Sequence, residues 1–259
     1  MVVDGARISW ALGGAQWGRP VLFVHGGSAH GGWWDAVIAR LAVDHACAAV
    51  DLSGHGHSDW RDDYAFDQWV REVTAVADAQ FPDGCTLVGH SLGGAVVCAA
   101  VTAGHPARAV VAVDTNGSGP GLHRPPPPPP GPPRMFATRA EAEAAVIARK
   151  GSWVPEIAAA VAASSVREAA DGWRMHADPA IRAIAVPGRD LADLAPTSTL
   201  LLAGTASPFR DLFEDTRRQL PALPHVRIQK VPGAGHDIMM EHPDAVADAV
   251  RRHVADLPD

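Results

Sequence analysis

The chain has 259 residues, of which 47% are hydrophobic and 20% charged, and its formal net charge is -7. That composition argues against a disordered polypeptide, and a chain of this order buries about three quarters of its extended surface, enough for a sizeable core in one α/β domain. The acidic balance, without a basic cluster, argues against nucleic acid or an anionic membrane as a partner.

Residues 1–7, Met1-Val2-Val3-Asp4-Gly5-Ala6-Arg7, carry no long apolar signal segment, and no run of ~18 apolar residues occurs, so the expected location is the cytoplasm. Residues 8–12 predict an early strand, closed by Gly13-Gly14. Apolar runs at 20–24, 46–50, 86–88, 109–113, 199–203 and 226–231 predict buried strands. Helical stretches are predicted at 34–41, 66–79, 94–103, 210–220 and 243–254. This alternation predicts a mostly parallel central sheet with helices on both faces, whose chemistry lies at the carboxyl ends of the strands. His25, Asp51, Ser91, Asp114 and the loop after Ala203 fall at such ends. Cys47, Cys85 and Cys98 are widely spaced, form no Cys-x-x-Cys pair and have apolar neighbours, which predicts reduced, buried thiols and no zinc or redox centre.

Between Asp114 and Thr199 no strand is evident. Six consecutive prolines, Pro125 to Pro130, can be neither helix nor central strand and favour extended polyproline II. They predict a stiff spacer, with a docking site for a proline-reading domain as the alternative. Helices are predicted at 139–150 and 155–170, followed by a Pro-punctuated return. The domain reading is therefore a core of residues 1–116 and 191–259 with a helical cap at 117–190, a common arrangement for a substrate lid.

The densest motif is Gly89-His90-Ser91-Leu92-Gly93, between the run Cys85-Thr86-Leu87-Val88 and a small-residue helix. Gly-x-Ser-x-Gly between a strand and a helix is a strained turn that lifts a serine hydroxyl clear of the sheet. Upstream lies His25-Gly26-Gly27, and downstream lies Gly233-Ala234-Gly235-His236. Together with Asp51-Leu52-Ser53-Gly54-His55-Gly56-His57-Ser58, these pieces resemble the α/β-hydrolase superfamily across essentially the whole chain outside the proline run. The resemblance implies that fold with an inserted cap, and it is a poor guide to substrate.

It further implies Ser91 as nucleophile and His236 as its base, with the oxyanion held by the Leu92 and Gly27 amides, Ser28 being a second possibility for the latter. The acid departs from the common pattern. The loop after residue 203, Gly204-Thr205-Ala206-Ser207-Pro208-Phe209, has no carboxylate, and Ser207 stands where Asp is usual. Asp114, at the end of the preceding strand, is the expected acid; Asp211 and a Ser–His dyad remain alternatives. Asp51 is expected to shape its loop.

Eight tryptophans against one tyrosine is unusual. Trp33, Trp153, Ile238 and Met239 are candidates for an apolar cleft, flanked by His25, Ser28 and His90; ordinary packing is the alternative for the tryptophans. Ser91 at the elbow, with Tyr64 outside the cap, disfavours epoxide opening. The expectation is a serine hydrolase acting on a small or medium apolar ester, thioester or lactone, without metal or organic cofactor. The rival readings are carbon–carbon hydrolase, lyase or cyclase chemistry on the same residues, or a non-catalytic ligand-binding relative.

Overall fold

The apolar runs come together as one seven-stranded sheet in a computed structural model that describes residues 1–115, 131–148, 152–188 and 190–257. A small hairpin, β1 (Val2–Val3) and β2 (Ala6–Arg7), precedes β3 (Ser9–Gly14) and β4 (Arg19–Val24). A 3-10 turn (Gly31–Trp34) and α1 (Asp35–Leu41) lead to β5 (His45–Asp51), α2 (Phe66–Gln80), β6 (Thr86–His90), α3 (Leu92–Thr102) and β7 (Ala109–Val113). A second segment holds α4 (Arg139–Ile147), α5 (Pro155–Ser164), β8 (Val166–Ala169) and β9 (Gly172–Met175). The chain then returns through β10 (Thr199–Gly204), α6 (Arg210–Gln219), β11 (Val226–Val231), α7 (Ile238–Glu241) and α8 (Pro243–Ala255).

The sheet order is β11-β10-β7-β6-β4-β5-β3; every pairing is parallel except β3 with β5. Period-two alternation sends successive side chains to opposite faces. Leu22, Val24, Leu87, Val110 and Leu201 pack with Trp69, Val73 and Val96 of α2 and α3. Val21, Phe23, Val88, Val111 and Leu202 pack with Val37, Leu41 and Val250 of α1 and α8. Because both faces are covered, the central strands are continuously apolar, and each fully buried aliphatic side chain contributes about 1.5–3 kcal/mol. Cys47, Cys85 and Cys98 are buried and form no disulfide. Among the described residues, no helix is long and apolar enough to cross a membrane.

The segment after β7 differs from expectation. The helix predicted over 155–170 stops at Ser164, and β8 and β9 pair antiparallel as a hairpin. The two-residue turn Ala170-Asp171 accounts for this, with Gly172 opening β9 at φ +126°, which other residues avoid, where an added Cβ would strike the Phe136 carbonyl. Phe136 and Trp173 exchange two backbone bonds of 2.8 Å, tying the hairpin to the strand-like entry before α4. The six-proline run and its two readings lie outside the described residues.

Candidate functional site

The carboxyl ends of β4, β5, β6 and β7 share one edge of the sheet, which gathers His25, Asp51, Ser91 and Asp114. Ser91 has φ +51° and ψ -115°, a strained conformation for a residue with a side chain. Three bonds hold it: Ser91 N–H donates to the Val113 carbonyl (3.0 Å), and its own carbonyl accepts from Ala95 N–H (3.1 Å) and Thr115 Oγ1 (3.0 Å). Glycine is required around it. A Cβ on Gly89 would strike the Gly93 carbonyl, and one on Gly93 would strike the Val24 and His25 carbonyls.

His236 follows β11 and faces Ser91. Its Nε2 lies 3.1 Å from Ser91 Oγ and its Nδ1 lies 2.7 Å from Asp114 Oδ2. With a carboxylate at Nδ1, the proton of the neutral ring belongs there, leaving the Nε2 lone pair for the serine hydroxyl. The ring is flanked by Phe209 at 5.0 Å and His90 at 4.6 Å between centroids. His90 Nε2–H donates to the His236 carbonyl (2.9 Å), fixing the backbone under the imidazole.

Asp114 is fully buried. Besides His236, it accepts from Gly204 N–H (3.1 Å) and from Ser207 Oγ (2.5 Å). Asp211, the alternative acid, is 91% exposed in its side chain and lies 3.7 Å from Arg210. Asp51 accepts from the Gly31 and His57 amides at 2.7 and 2.8 Å and so shapes its loop.

Leu92 opens α3, so its N–H has no intrahelical acceptor and sits at the positive end of the helix dipole. Gly27 adjoins it: a Cβ on Gly27 would lie 3.9 Å from Leu92 Cδ2. Ser28 follows at φ +61°.

Ser28, Trp33 and Trp153 line a cavity of about 50 Å³ beside Gly27, together with His30, Ser165 and Met175. Trp33 and Trp153 meet edge to face at 4.9 Å, and Trp153 Nε1 donates to Asp237 Oδ2 (3.1 Å). Four other expected cleft residues lie behind the site. Ile238 and Met239 belong to the core between sheet and helices. His90 is buried under His236. His25 is buried, donates from Nδ1 to the Gly26 carbonyl (2.7 Å) and accepts at Nε2 from Leu52 N–H (3.1 Å). Burial pushes the His25 pKa down to about 3, so the ring is a neutral loop brace. The sequence alone does not mark His30, Ser165 or Met175 as site residues, and it shows Ser207 only as standing where an acid is usual.

His90, His236 and Asp237 bring potential metal-ligand atoms within 4.8 Å of one another. Both His236 nitrogens and His90 Nε2 already serve the hydrogen bonds above, so a cation there would compete with the Ser91 contact.

The model of the Alpha/beta hydrolase family matches residues 21–249. A serine hydrolase-like protein of Danio rerio is 34% identical over 99 residues, covering 37% of this chain and 30% of that protein. An esterase of Mycobacterium tuberculosis is 38% identical over 89 residues, covering 32% of this chain and 29% of that protein. Each match thus spans less than a third of the relative. The thioesterase domain from the curacin biosynthetic pathway superposes with a TM-score of 0.80 at 21% identity, covering 97% of both chains.

Proposed function

The chain belongs to the alpha/beta hydrolase family, and from that premise we propose that it is a serine hydrolase cleaving a small or medium apolar carboxylic ester, thioester or lactone through an acyl-enzyme. The observation that carries this reading is the single imidazole spanning Ser91 Oγ at 3.1 Å and Asp114 Oδ2 at 2.7 Å. A serine hydroxyl is a weak nucleophile at neutral pH and needs such a base.

In this reading Ser91 Oγ attacks the substrate carbonyl while its proton passes to His236 Nε2. Asp114 keeps the imidazole oriented and stabilises the imidazolium. The Leu92 and Gly27 amides receive the tetrahedral oxyanion. His236 then gives its proton to the departing alcohol or thiol, and afterwards takes one from the water that releases the acid. No step calls for a metal or organic cofactor. Residues 117–190 serve as the lid, and the thiols, which form no disulfide, suit a cytoplasmic location.

The test is intact-protein mass spectrometry after exposure to a fluorophosphonate. One adduct on the wild type, absent in Ser91→Ala, is expected. A folded wild-type protein that takes no adduct, or a Ser91→Ala variant that still does, overturns the proposal.

A further inference from the structure

Two cavities meet at the turn that carries Ser28. The inner chamber of about 50 Å³ shares Ser28, Met175 and Ala177 with an outer mouth of about 190 Å³. They differ in charge. In the chamber the side chains of His30, Ser165 and His176 are already engaged. Ser165 Oγ donates to the Val161 carbonyl (2.6 Å) and accepts from His30 Nε2 (3.0 Å), while His30 Nδ1 accepts from Gly32 N–H (3.1 Å). The His176 ring nitrogens face the Gly56 and Val166 carbonyls at 2.7 and 3.2 Å. What remains for a ligand is the apolar surface of Trp33, Trp153, Val146 and Met175.

The mouth is cationic. Arg134 and Arg182 line it and are exposed. The Arg134 guanidinium sits 4.6 Å from the Phe136 ring centroid, which holds it at the rim. Among the described residues, neither arginine has a carboxylate partner. The one carboxylate in the lining, Asp178, accepts from Tyr64 Oη and Ala180 N–H, both at 2.9 Å. Behind it, Arg167 and Arg174 stand opposite each other in the β8–β9 hairpin, both stacked on Trp60. Glu168 pairs with Trp173, and strand alternation turns it to the other face of the hairpin. A chain of net charge -7 thus presents a positive rim at one cleft.

We propose that the substrate is a short-acyl ester or thioester, apolar only in its acyl part, whose alcohol or thiol part carries an anion, a phosphate or a carboxylate, held at the mouth by Arg134 and Arg182. This rests on the acyl-enzyme reading above. In that reaction the leaving part departs first while the acyl part stays on Ser91. The chamber, small and adjoining Gly27, therefore suits the acyl chain, and the arginine-lined mouth suits the part that leaves.

Two matched pairs test the charge: acetyl-pantetheine against acetyl-phosphopantetheine, and S-acetyl-3-mercaptopropionamide against S-acetyl-3-mercaptopropionate, followed by thiol release. The expected result is a charged-to-neutral ratio of kcat/KM of about ten or more at low salt in one pair, and that pair identifies the anion. The ratio collapses toward one in 0.5 M salt and in Arg134→Gln/Arg182→Gln, and falls below one in Arg134→Glu/Arg182→Glu. A ratio near one in the wild type, or one that survives both double variants, overturns the proposal. If a folded wild type hydrolyses none of the four, the fluorophosphonate adduct on Ser91 decides the acyl-enzyme reading separately. Calorimetry with phosphopantetheine and with 3-mercaptopropionate then decides the anion site: binding lost in the double variants sustains it, and no binding overturns it.

Discussion

Ser207 Oγ donates a 2.5 Å hydrogen bond to Asp114 Oδ2, the same oxygen that accepts from His236 Nδ1. In the proposed triad the acid comes from the end of β7, and a hydroxyl from the loop after β10 hydrogen-bonds to it. Ser207 is fully buried, and its Oγ also accepts from Phe209 N–H at 3.0 Å, so the hydroxyl hydrogen is directed at the carboxylate. Hydrogen bonds to charged groups contribute about 1.5–3 kcal/mol. Ser207→Ala is therefore expected to lower kcat by about tenfold on a 4-nitrophenyl ester, with KM little changed, because the acid is oriented less firmly. An unchanged kcat would remove Ser207 from the positioning of Asp114.

Asp114 and Asp211 are separated by the same assay. Asp114→Asn is expected to reduce turnover by about four powers of ten without unfolding the protein, since the amide reverses the donor sense at His236 Nδ1. Asp211→Asn removes an exposed charge near Arg210 and leaves turnover as it was. The opposite pattern would move the acid to Asp211 in the first turn of α6.

The sequence carried most of this geometry because strand ends and glycine turns are local signals. Ser91, Asp114 and His236 each follow an apolar run closely, so placing the runs in a parallel sheet places the residues. The cap was less legible. β8 and β9 contain Glu168, Arg167 and Arg174, and their apolar pattern is too short to separate a strand from the end of a helix. Asp171, with Gly172 after it, was the available turn signal. His90, Ile238 and Met239 lie near Ser91 or His236 in sequence, and His25 lies near Gly27, yet adjacency does not say whether a side chain faces the cleft or the core. Ser207 was visible as a substitution, but its role required the carboxylate on the neighbouring strand.

Burial sets the acid stability. His25 and His55 have pKa values pushed down to about 3, and His30 to about 4, in each case chiefly by burial. The folded protein keeps these rings neutral, whereas the unfolded chain takes up protons near pH 6.5. The unfolded state therefore binds more protons below that pH, and stability present above pH 6.5 is lost as pH falls toward 4. Each ring contributes about 1.4 kcal/mol per pH unit across that window. Urea midpoints are expected to fall steeply between pH 6.5 and 4.5, before the carboxylates titrate. A flat midpoint over that range would mean that these rings are solvated in the folded state.

Trp60 ties the loop after β5 to β9 and His176, within the proposed cap. Its Nε1 donates to the His176 carbonyl at 3.0 Å, and the Arg174 and Arg167 guanidiniums lie 3.9 and 5.0 Å from its ring centroid. The two like charges face each other across the β8–β9 pair, and the ring's negative face is what lets them share that space. Trp60→Ala removes the stack and the donor together and leaves the arginines repelling. The expected result is a cap held less tightly by about 2 kcal/mol, within the range of exposed cation–π and hydrogen-bond contributions combined. Limited proteolysis should cut within residues 152–188 well before the core, with KM raised more than kcat is lowered. Trp60→Phe keeps a ring but not the donor and is expected to fall between the two. Equal cleavage of the wild type and Trp60→Ala in that segment would show that the cap is held by its other contacts with the core.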